Sequence, residues 1–559
     1  MKYPIITWVQ SLNLNYPSIM FVLFPFFVVF IWESNSPLVL SETFTQCLTS
    51  NSDPKHPISP AVFFAGNRSY SSVLEANIRN LRFNASNTPK PFIIIAATHE
   101  SHVQAAVTCG KRHNLQMKIR SGGHDYDGLS YVTYSRKPFF VLDMFNLRSV
   151  DVDVASKTAW VQTGANLGEV YYYIWEKSKT LAYPAGVCPT VGVGGHISGG
   201  GYGNMMRKYG LTVDNTIDAR MVDSNGKILD RKLMGEDLFW AINGGGGGSY
   251  GVVLAYKINL VEVPQTVAVF NISRTLEQNA TEIVHRWQQV APELPDELFI
   301  RTFIDVVNGT VSSQKTVRVT FIAMFLGDTT TLLSILNGKF PELGLVRSDC
   351  IETSWIQSVL FWTNIQLGSS EKVLLQRNQT VNYLKRKSDY VREPISRTGL
   401  ESIWKKMIKL EIPTMAFNPY GGAMARISST ATPFPHRAGN LWKIQYAANW
   451  REDRLTDRYM ELMTELYQFM TPFVSKNPRQ SFFNYRDVDL GINSHYGKIS
   501  SYVVGNRYGK KYFAGNFERL VKIKTRVDSG NFFRNEQSIP VLPRSVYLFD
   551  YWLVKFFVV

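Results

Sequence analysis

GVCPTVGVGGHISGGGYGNMMRKYG, residues 186–210, holds nine glycines, and Gly244–Gly248 adds five in a row. Glycine costs conformational entropy, so this density marks tight turns or a backbone that closely approaches a ligand. A flexible linker would interleave polar residues, whereas Val191, Val193, Ile197 and Met205 stand between these glycines. Backbone N–H groups in such loops can hold a pyrophosphate. Only Gly246-x-Gly248-x-x-Gly251 fits G-x-G-x-x-G, and it runs into the strand-like Val252–Tyr256, where that fingerprint needs a helix. No G-x-x-x-x-G-K-[ST] occurs. A dinucleotide bound here sits on another fold.

Outward from the glycines, Phe92–Ala97, Ser101–His113 and Leu115–Arg120 read as strand, helix and strand. A second unit opens with alternating Thr158–Gln162. Leu167, Val170, Tyr171, Ile174 and Trp175 then follow at helical spacing. Asp223–Gly226 is a hairpin turn, and Pro264 closes a long apolar strand, Tyr250–Val263. From 265 to 480 the texture changes. Long alternating strands (Leu298–Val307, Thr316–Phe325) mix with helices (Thr329–Leu336, Leu400–Lys409, Glu452–Met470), as in an antiparallel sheet with helical cover. Asn516–Val527 returns to a basic amphipathic helix. The expected class is α+β, with an outer domain completed by the C-terminus around an inserted unit.

At 559 residues, with 45% hydrophobic, 13% aromatic and 19% charged residues, the chain is neither disordered nor fibrous. Its net charge of +15 favours anionic surroundings. The densest basic run, Lys385-Arg386-Lys387, is short and no nucleic-acid motif accompanies it, so the charge reads as a broad surface property. Cys47, Cys109, Cys188 and Cys350 form no CxxC, and no HExxH occurs, so no metal site is expected. The fourteen-residue apolar run Ile19–Trp32 suits a signal-peptide core better than a membrane span, giving a signal segment at 1–34. An uncleaved anchor is the rival reading. Six N-x-S/T sequons start at Asn67, Asn84, Asn271, Asn279, Asn308 and Asn378 and agree with secretion. Tyr547–Val559 is apolar but too short to span a bilayer.

Three stretches, Arg120–Tyr131 (RSGGHDYDGLSY), Cys188–Tyr202 (CPTVGVGGHISGGGY) and Asn531–Pro540 (NFFRNEQSIP), resemble the berberine bridge enzyme-like flavoprotein oxidases of the wider vanillyl-alcohol-oxidase/PCMH superfamily. The likeness continues through Ser388–Tyr390, Phe434–Gly439 and Asn484–Asp487, over roughly residues 45 to 543. It implies a PCMH-type FAD-binding domain at 45–264, a substrate domain at 265–480, and a segment at 481–543 completing the FAD domain. Residues 544–559 stay unassigned.

The resemblance implies FAD attached twice, through His124 and Cys188, and a Cys47–Cys109 disulfide. Cys350 is left as an unpaired thiol that packs in the core. Arg120, Ser121, Gly122, Gly123, Ser130, Val191, Gly194, Gly195, His196, Ser198, Gly199 and Asn484 fall on the cofactor-binding motifs. For an alcohol-oxidising member, Tyr202 matches the base and Lys443 the cation that lowers the pKa of that phenol. Gln445 shares a strand face with Lys443. Tyr126 and Tyr485 line the substrate pocket, and Tyr485 is the competing base. Val191 matches an oxygen gate, where valine admits dioxygen and leucine blocks it, so an oxidase is expected. Asn243 in place of Arg, Phe482 without a hydroxyl, and Tyr508 in place of Trp depart from the family pattern.

The expected protein is a monomeric, secreted, cell-wall or vacuolar oxidase of a monolignol-type allylic alcohol that reduces dioxygen to peroxide, with no nucleic-acid partner and no membrane span in the mature chain. An oligosaccharide oxidase acting on the anomeric hydroxyl, an oxidative cyclase of specialised metabolites, and a silent FAD-containing binding protein are the alternatives.

Overall fold

A computed structural model describes residues 37–543 apart from 136, 311–313, 379 and 494–500; the expected signal segment at 1–34 and residues 544–559 lie outside them. The first sheet contains β1 (Val62–Phe64), β2 (Ile93–Ala96), β3 (Gln116–Arg120) and β4 (Phe139–Asp143) in the order β1-β2-β4-β3. β2 and β3 each run parallel to β4. β2 and β4 are buried along their whole length, as parallel strands covered on both faces should be. Cys47 and Cys109 form a disulfide that ties helix Pro37–Asn51 to helix Glu100–Arg112.

The second sheet is antiparallel: β5 (Val150–Asp153), β6 (Thr158–Gln162), β8 (Thr216–Val222), β9 (Ile228–Leu229) and β10 (Val252–Asn259), ordered β5-β6-β10-β8-β9. β7 (Leu181–Ala182) pairs with β11 (Val261–Glu262). The strand expected at Tyr250–Val263 therefore breaks at Leu260, whose N–H donates to Lys157 O at 2.8 Å. Helix Leu167–Lys177 buries Leu167, Val170, Tyr171 and Ile174, the stripe its spacing indicates.

The third sheet has seven antiparallel strands: β12 (Val267–Thr275), β13 (Leu298–Asn308), β14 (Lys315–Phe325), β15 (Cys350–Thr353), β16 (Tyr383–Val391), β17 (Thr414–Pro419) and β18 (Trp442–Trp450). Their order is β15-β12-β14-β13-β17-β18-β16. Trp287, Trp404 and Trp442 fill the core between this sheet and its covering helices. Cys350 is half-buried on edge strand β15, packing only partly against that core. Helix Phe517–Val527 lies on helix Arg231–Ile242, and Lys524 donates to Ser249 O (2.6 Å) while pairing with Asp528 (2.6 Å). Helices and mixed sheets make the class α+β.

The basic run is not a surface feature. On edge strand β16, Lys385 and Lys387 are buried. Lys385 Nζ lies 2.7 Å from Asp487, 3.2 Å from Asp127 and 3.2 Å from Asp489; Lys387 Nζ lies 2.7 Å from Asp487 and 2.5 Å from Asp489. Arg82 approaches Asp127 at 3.6 Å, balancing three cations against three anions. Burial alone would favour neutral Lys385, but the three carboxylates hold its pKa above the ordinary value. Asp489 is also opposed by burial, yet Lys385 and Lys387 draw its pKa down to about 2. Its stabilising contribution is present above the unfolded carboxylate value of about 4 and disappears as pH falls through about 2.

Asp487→Asn leaves two buried ammonium groups short of a partner and should cost about 3 kcal/mol or more, read as a lower thermal midpoint. Adding Lys385→Met should recover part of that loss. An unchanged midpoint for Asp487→Asn would remove the cluster from any structural role.

Candidate active site

Two glycine turns meet at the end of β3. A Cβ on Gly122 would fall 2.4 Å from Gly192 N, and one on Gly192 would fall 2.2 Å from Gly122 N. Only glycine at both positions lets the loops touch. Ser121 Oγ donates to Thr163 O at 2.5 Å, and His124 Nε2 meets Thr190 Oγ1 at 2.7 Å. This leaves His124 Nδ1 without a hydrogen-bond partner among the described residues. Burial, then Arg79, pushes the His124 pKa down to about 3, so its imidazole is neutral. His196 is likewise held neutral, at about 3, by burial and then Lys443. Its Nε2 accepts from Gly186 N at 3.1 Å and fixes the loop that carries Cys188. The Cys188 thiol opens onto a deep cavity. Its pKa is raised by burial against the opposing pull of Arg301, Arg79 and Arg386.

That cavity gathers most of the expected residues: Ser121, Gly122, Gly123, His124, Tyr126, Ser130, Cys188, Val191, Gly194, Gly195, His196, Ser198, Tyr202, Asn484 and Tyr485. Two features fit it to a large cofactor. A Cβ on Gly195 would meet nothing within 4 Å, and the buried Ser130 Oγ has no hydrogen-bond partner. Arg486 and Arg534 also line the cavity, near Gly246, Gly247 and Gly248, and suit the diphosphate of a dinucleotide.

Arg120 departs from its expected role. It is fully buried; Nε and Nη2 donate to Asp143 at 3.1 and 2.6 Å, while Nη1 and Nη2 reach Leu74 O and Val73 O at 2.6 and 2.8 Å. With four of its five N–H donors used and no place in the cavity lining, it is a strut beneath the loop, not a cofactor contact. Gly199 lies against Asn484, whose Nδ2 a Cβ would approach to 2.4 Å, so its part is to seat that side chain.

Tyr202 and Tyr485 share a hydrogen bond between hydroxyls at 2.5 Å. Gln445 Nε2 donates to Tyr126 OH at 3.2 Å, and the Tyr126 and Tyr485 rings lie 5.5 Å apart. Lys443 sits behind this aromatic wall, not in it. Its Nζ is 3.1 Å from the Tyr202 ring centroid, 3.9 Å from that of Phe482 and 4.6 Å from that of Tyr485. The expected partner of Tyr202 is thus adjacent to it, lying against the ring and not beside the hydroxyl. Arg301 acts on the Tyr202 hydroxyl. It is hydrogen-bonded to Asn418 Oδ1 at 2.7 Å, and Asn418 pairs with Lys443 across the sheet. Sequence reading missed Arg301; its signal was the alternation of β13, on which Arg301, Phe303 and Asp305 share one half-buried face.

Burial raises the Tyr202 pKa despite Arg301 and Tyr485, so in this structure the phenol is neutral, not pre-ionised. Burial, then repulsion from Arg301, pushes Lys443 well below its ordinary value. Away from the cavity, Asp53, His56 and His99 bring ligand-type atoms within 4.8 Å of one another, although no metal site was expected. His99 Nδ1 already caps helix Glu100–Arg112 by accepting from Ser101 N.

Comparison with known proteins agrees with the geometry. The family model described as an FAD binding domain matches residues 91–231, and the one described as berberine and berberine like matches residues 481–540. Berberine bridge enzyme-like 8 of Arabidopsis thaliana is 90% identical over 522 residues, 93% of this chain and 99% of that protein. A doubly substituted variant of the protein Phl p 4, described as a glucose oxidase, superposes with a TM-score of 0.85 at 45% identity over 90% of this chain and all of its own. Wild-type Phl p 4.0202, described as a glucose dehydrogenase, gives 0.85 at 44% over the same shares.

Gly195→Ala meets no protein atom and should leave the thermal midpoint of the flavin-free protein unchanged while lowering flavin absorbance per chain at least several-fold. Full flavin content in that variant would place the cofactor elsewhere.

Proposed function

The chain belongs to the berberine bridge enzyme-like family of FAD-dependent oxidoreductases, and on that premise we propose that it is a secreted oxidase of an alcohol CH–OH group carrying FAD bound at both His124 and Cys188. The observation that carries this reading is the Tyr202 phenol, facing the His124–Cys188 cavity with Lys443 behind its ring and Arg301 at its hydroxyl. His124 is suited to a covalent bond because its Nε2 is engaged by Thr190 and its neutral ring leaves Nδ1 available. Cys188 offers a thiol to the same space.

FAD held at His124 and Cys188 would supply the hydride acceptor for the alcohol carbon, with dioxygen as the final two-electron acceptor, reduced to hydrogen peroxide. The protein's task is to remove the hydroxyl proton. Tyr202 first gives up its own proton, with the 2.5 Å bond from Tyr485 steadying the phenolate; that phenolate then takes the hydroxyl proton at Oη and returns to phenol. A phenolate spreads its charge into the ring, against which Lys443 Nζ lies at 3.1 Å. Each group alone is driven neutral by burial; ionised together, each offsets the other's desolvation. Lys443 thus gains its charge as Tyr202 loses its proton. Burial opposes the charge of both groups until turnover, when phenolate and ammonium form together.

Val191 is assigned to the oxygen gate. An isoleucine-to-valine variant of Phl p 4 is described as a glucose oxidase, whereas the wild type and an asparagine-to-histidine variant are described as glucose dehydrogenases. Here valine stands at the cavity wall already. The leading donor is an allylic alcohol of the monolignol type; the Phl p 4 likeness supports a second reading, oxidation of a sugar's anomeric hydroxyl. The Cys47–Cys109 disulfide and five exposed sequon asparagines (Asn84 is half-buried) support a secreted protein. Among the described residues no helix is long and apolar enough to cross a membrane.

The purified protein should be yellow, keep its flavin after acid precipitation, yield flavin-bearing peptides around residues 124 and 188, and release peroxide with an alcohol or a sugar. Colour without peroxide across both substrate classes would favour a silent binder. Tyr202→Phe should cut flavin reduction on the order of 10³-fold and Tyr485→Phe far less; the reverse ranking would make Tyr485 the base. Lys443→Met should lower kcat/KM on the order of 10²-fold and move the ascending pH limb upward, with partial rescue by Lys443→Arg. Val191→Leu should slow reoxidation by dioxygen and spare flavin reduction; equal reoxidation rates would remove the gate.

A further inference from the structure

One member of the Lys385-Arg386-Lys387 run is unused by the buried ion-pair cluster. Strand alternation turns Arg386 to the opposite face, where the pairings Arg386↔Ala447, Ser388↔Gln445 and Tyr390↔Lys443 place it on the catalytic side of the sheet. Its guanidinium carbon lies 5.7 Å from the centroid of the Tyr126 ring. Its bonded donors meet only neutral oxygens: Lys385 O at 3.0 Å, Ala448 O at 2.9 Å and Asn449 Oδ1 at 2.7 Å. Arg79, on the loop after helix Tyr70–Glu75, also ends on a neutral acceptor, Thr380 O. Both guanidinium groups act on Tyr126 and Cys188, and each lies within electrostatic reach of the other.

Several buried cations of the molecule are compensated more fully. Buried Lys118, Arg120, Arg437 and Lys524 each meet a carboxylate, and Arg207 meets four carbonyl oxygens. Arg79 and Arg386 instead stand as two like charges beside Tyr126, which lines the cavity, and among the described residues neither has a carboxylate partner. Partly desolvated cations without counter-charge are costly unless a ligand supplies it. We propose that Arg79 and Arg386 form an anion subsite beside Tyr126, and that the alcohol oxidised here carries a carboxylate. A guanidinium binds a carboxylate through paired N–H donors, and a second one nearby sets which end of the substrate enters first. The acid group then lies towards Tyr126, and the hydroxyl to be oxidised lies towards Tyr202. The substrate half of this inference rests on the alcohol-oxidase reading above; the anion subsite does not.

Two arms separate the claims. In the first, oxidised holoenzyme is titrated with benzoate and with benzamide, of similar shape but different charge, and binding is read from the flavin spectrum. Benzoate should bind about tenfold tighter or better, and Arg386→Gln and Arg79→Gln should each erase most of that preference while flavin content per chain is kept. Equal affinities in the unaltered enzyme would overturn the subsite whether or not any variant folds. In the second arm, glucuronate is compared with glucose, and 4-(hydroxymethyl)benzoate with benzyl alcohol, by anaerobic flavin reduction. The acid of at least one pair should exceed its neutral partner about tenfold in kcat/KM, and the pair that responds identifies a sugar acid or an aromatic acid as the source. Neutral partners that equal their acids in both pairs would overturn the substrate claim. Flavin reduction by none of the four would count against alcohol oxidation, and the first arm would still decide the subsite.

Discussion

Three carboxylates and three cations, the inner four of them buried where separate parts of the chain meet, fix the geometry on which the site depends. Asp127 comes from the N-terminal FAD-binding segment, Lys385 and Lys387 from the seven-stranded sheet, and Asp487 and Asp489 from the C-terminal segment. The residues adjoining these charges are those that form the cavity. Tyr126 precedes Asp127, Arg386 lies between the two lysines, and Tyr485 comes two residues before Asp487. A buried ion pair adds little net stability over a hydrophobic substitute, but its geometric demands are strict. Here those demands set the spacing of Tyr126, Arg386 and Tyr485 from three distant stretches of chain. Asn80 adds a second clamp, donating to Tyr126 O at 2.7 Å and Leu384 O at 3.1 Å.

Two buried lysines with opposite surroundings show how one side chain serves two ends. Lys385 has three carboxylates and stays charged, so it holds structure. Lys443 has aromatic faces and a neighbouring arginine, so its charge is disfavoured until an anion forms beside it. Placing the second lysine behind the phenol ring instead of at its hydroxyl leaves the oxygen open to substrate and to Tyr485. The cost of charging Lys443 is thereby linked to the one event that makes the charge useful, ionisation of Tyr202.

Much of this was legible in the sequence where the signal was local. The glycine-rich stretch, the helical stripe from Leu167 to Trp175 and the alternation in β13 and β14 each depend on neighbouring residues, and each appears in the structure. Motif resemblance brought His124, Cys188 and Tyr202 to one cavity. The failures share a cause: the partner lay far away in sequence. Lys385-Arg386-Lys387 looked like surface charge because Asp127 and Asp487 are more than 100 residues distant. Arg120 looked like a cofactor ligand because its motif is contiguous, yet Asp143 and the carbonyls of Val73 and Leu74 use its donors. Arg301 is invisible until β13 is placed two strands from β18.

The same distance argument explains why charge at the cavity divides by location. Cations that adjoin a segment boundary meet acids from another segment, because the chain could supply those acids without entering the site. Arg79 and Arg386 adjoin the boundary too, but their guanidinium groups turn inward to Tyr126, where an acidic side chain would crowd the space before the phenols. A carboxylate fixed there by the protein would raise the cost of forming a phenolate on Tyr202, by like-charge repulsion in a poorly solvated cavity. A carboxylate carried in by a ligand arrives with its own position set by the two guanidinium groups, so it neutralises them without approaching Tyr202. The absence of an acidic partner for Arg79 and Arg386, shared among the described residues by Lys443 and Arg301 nearby, is therefore what a base formed only during turnover requires.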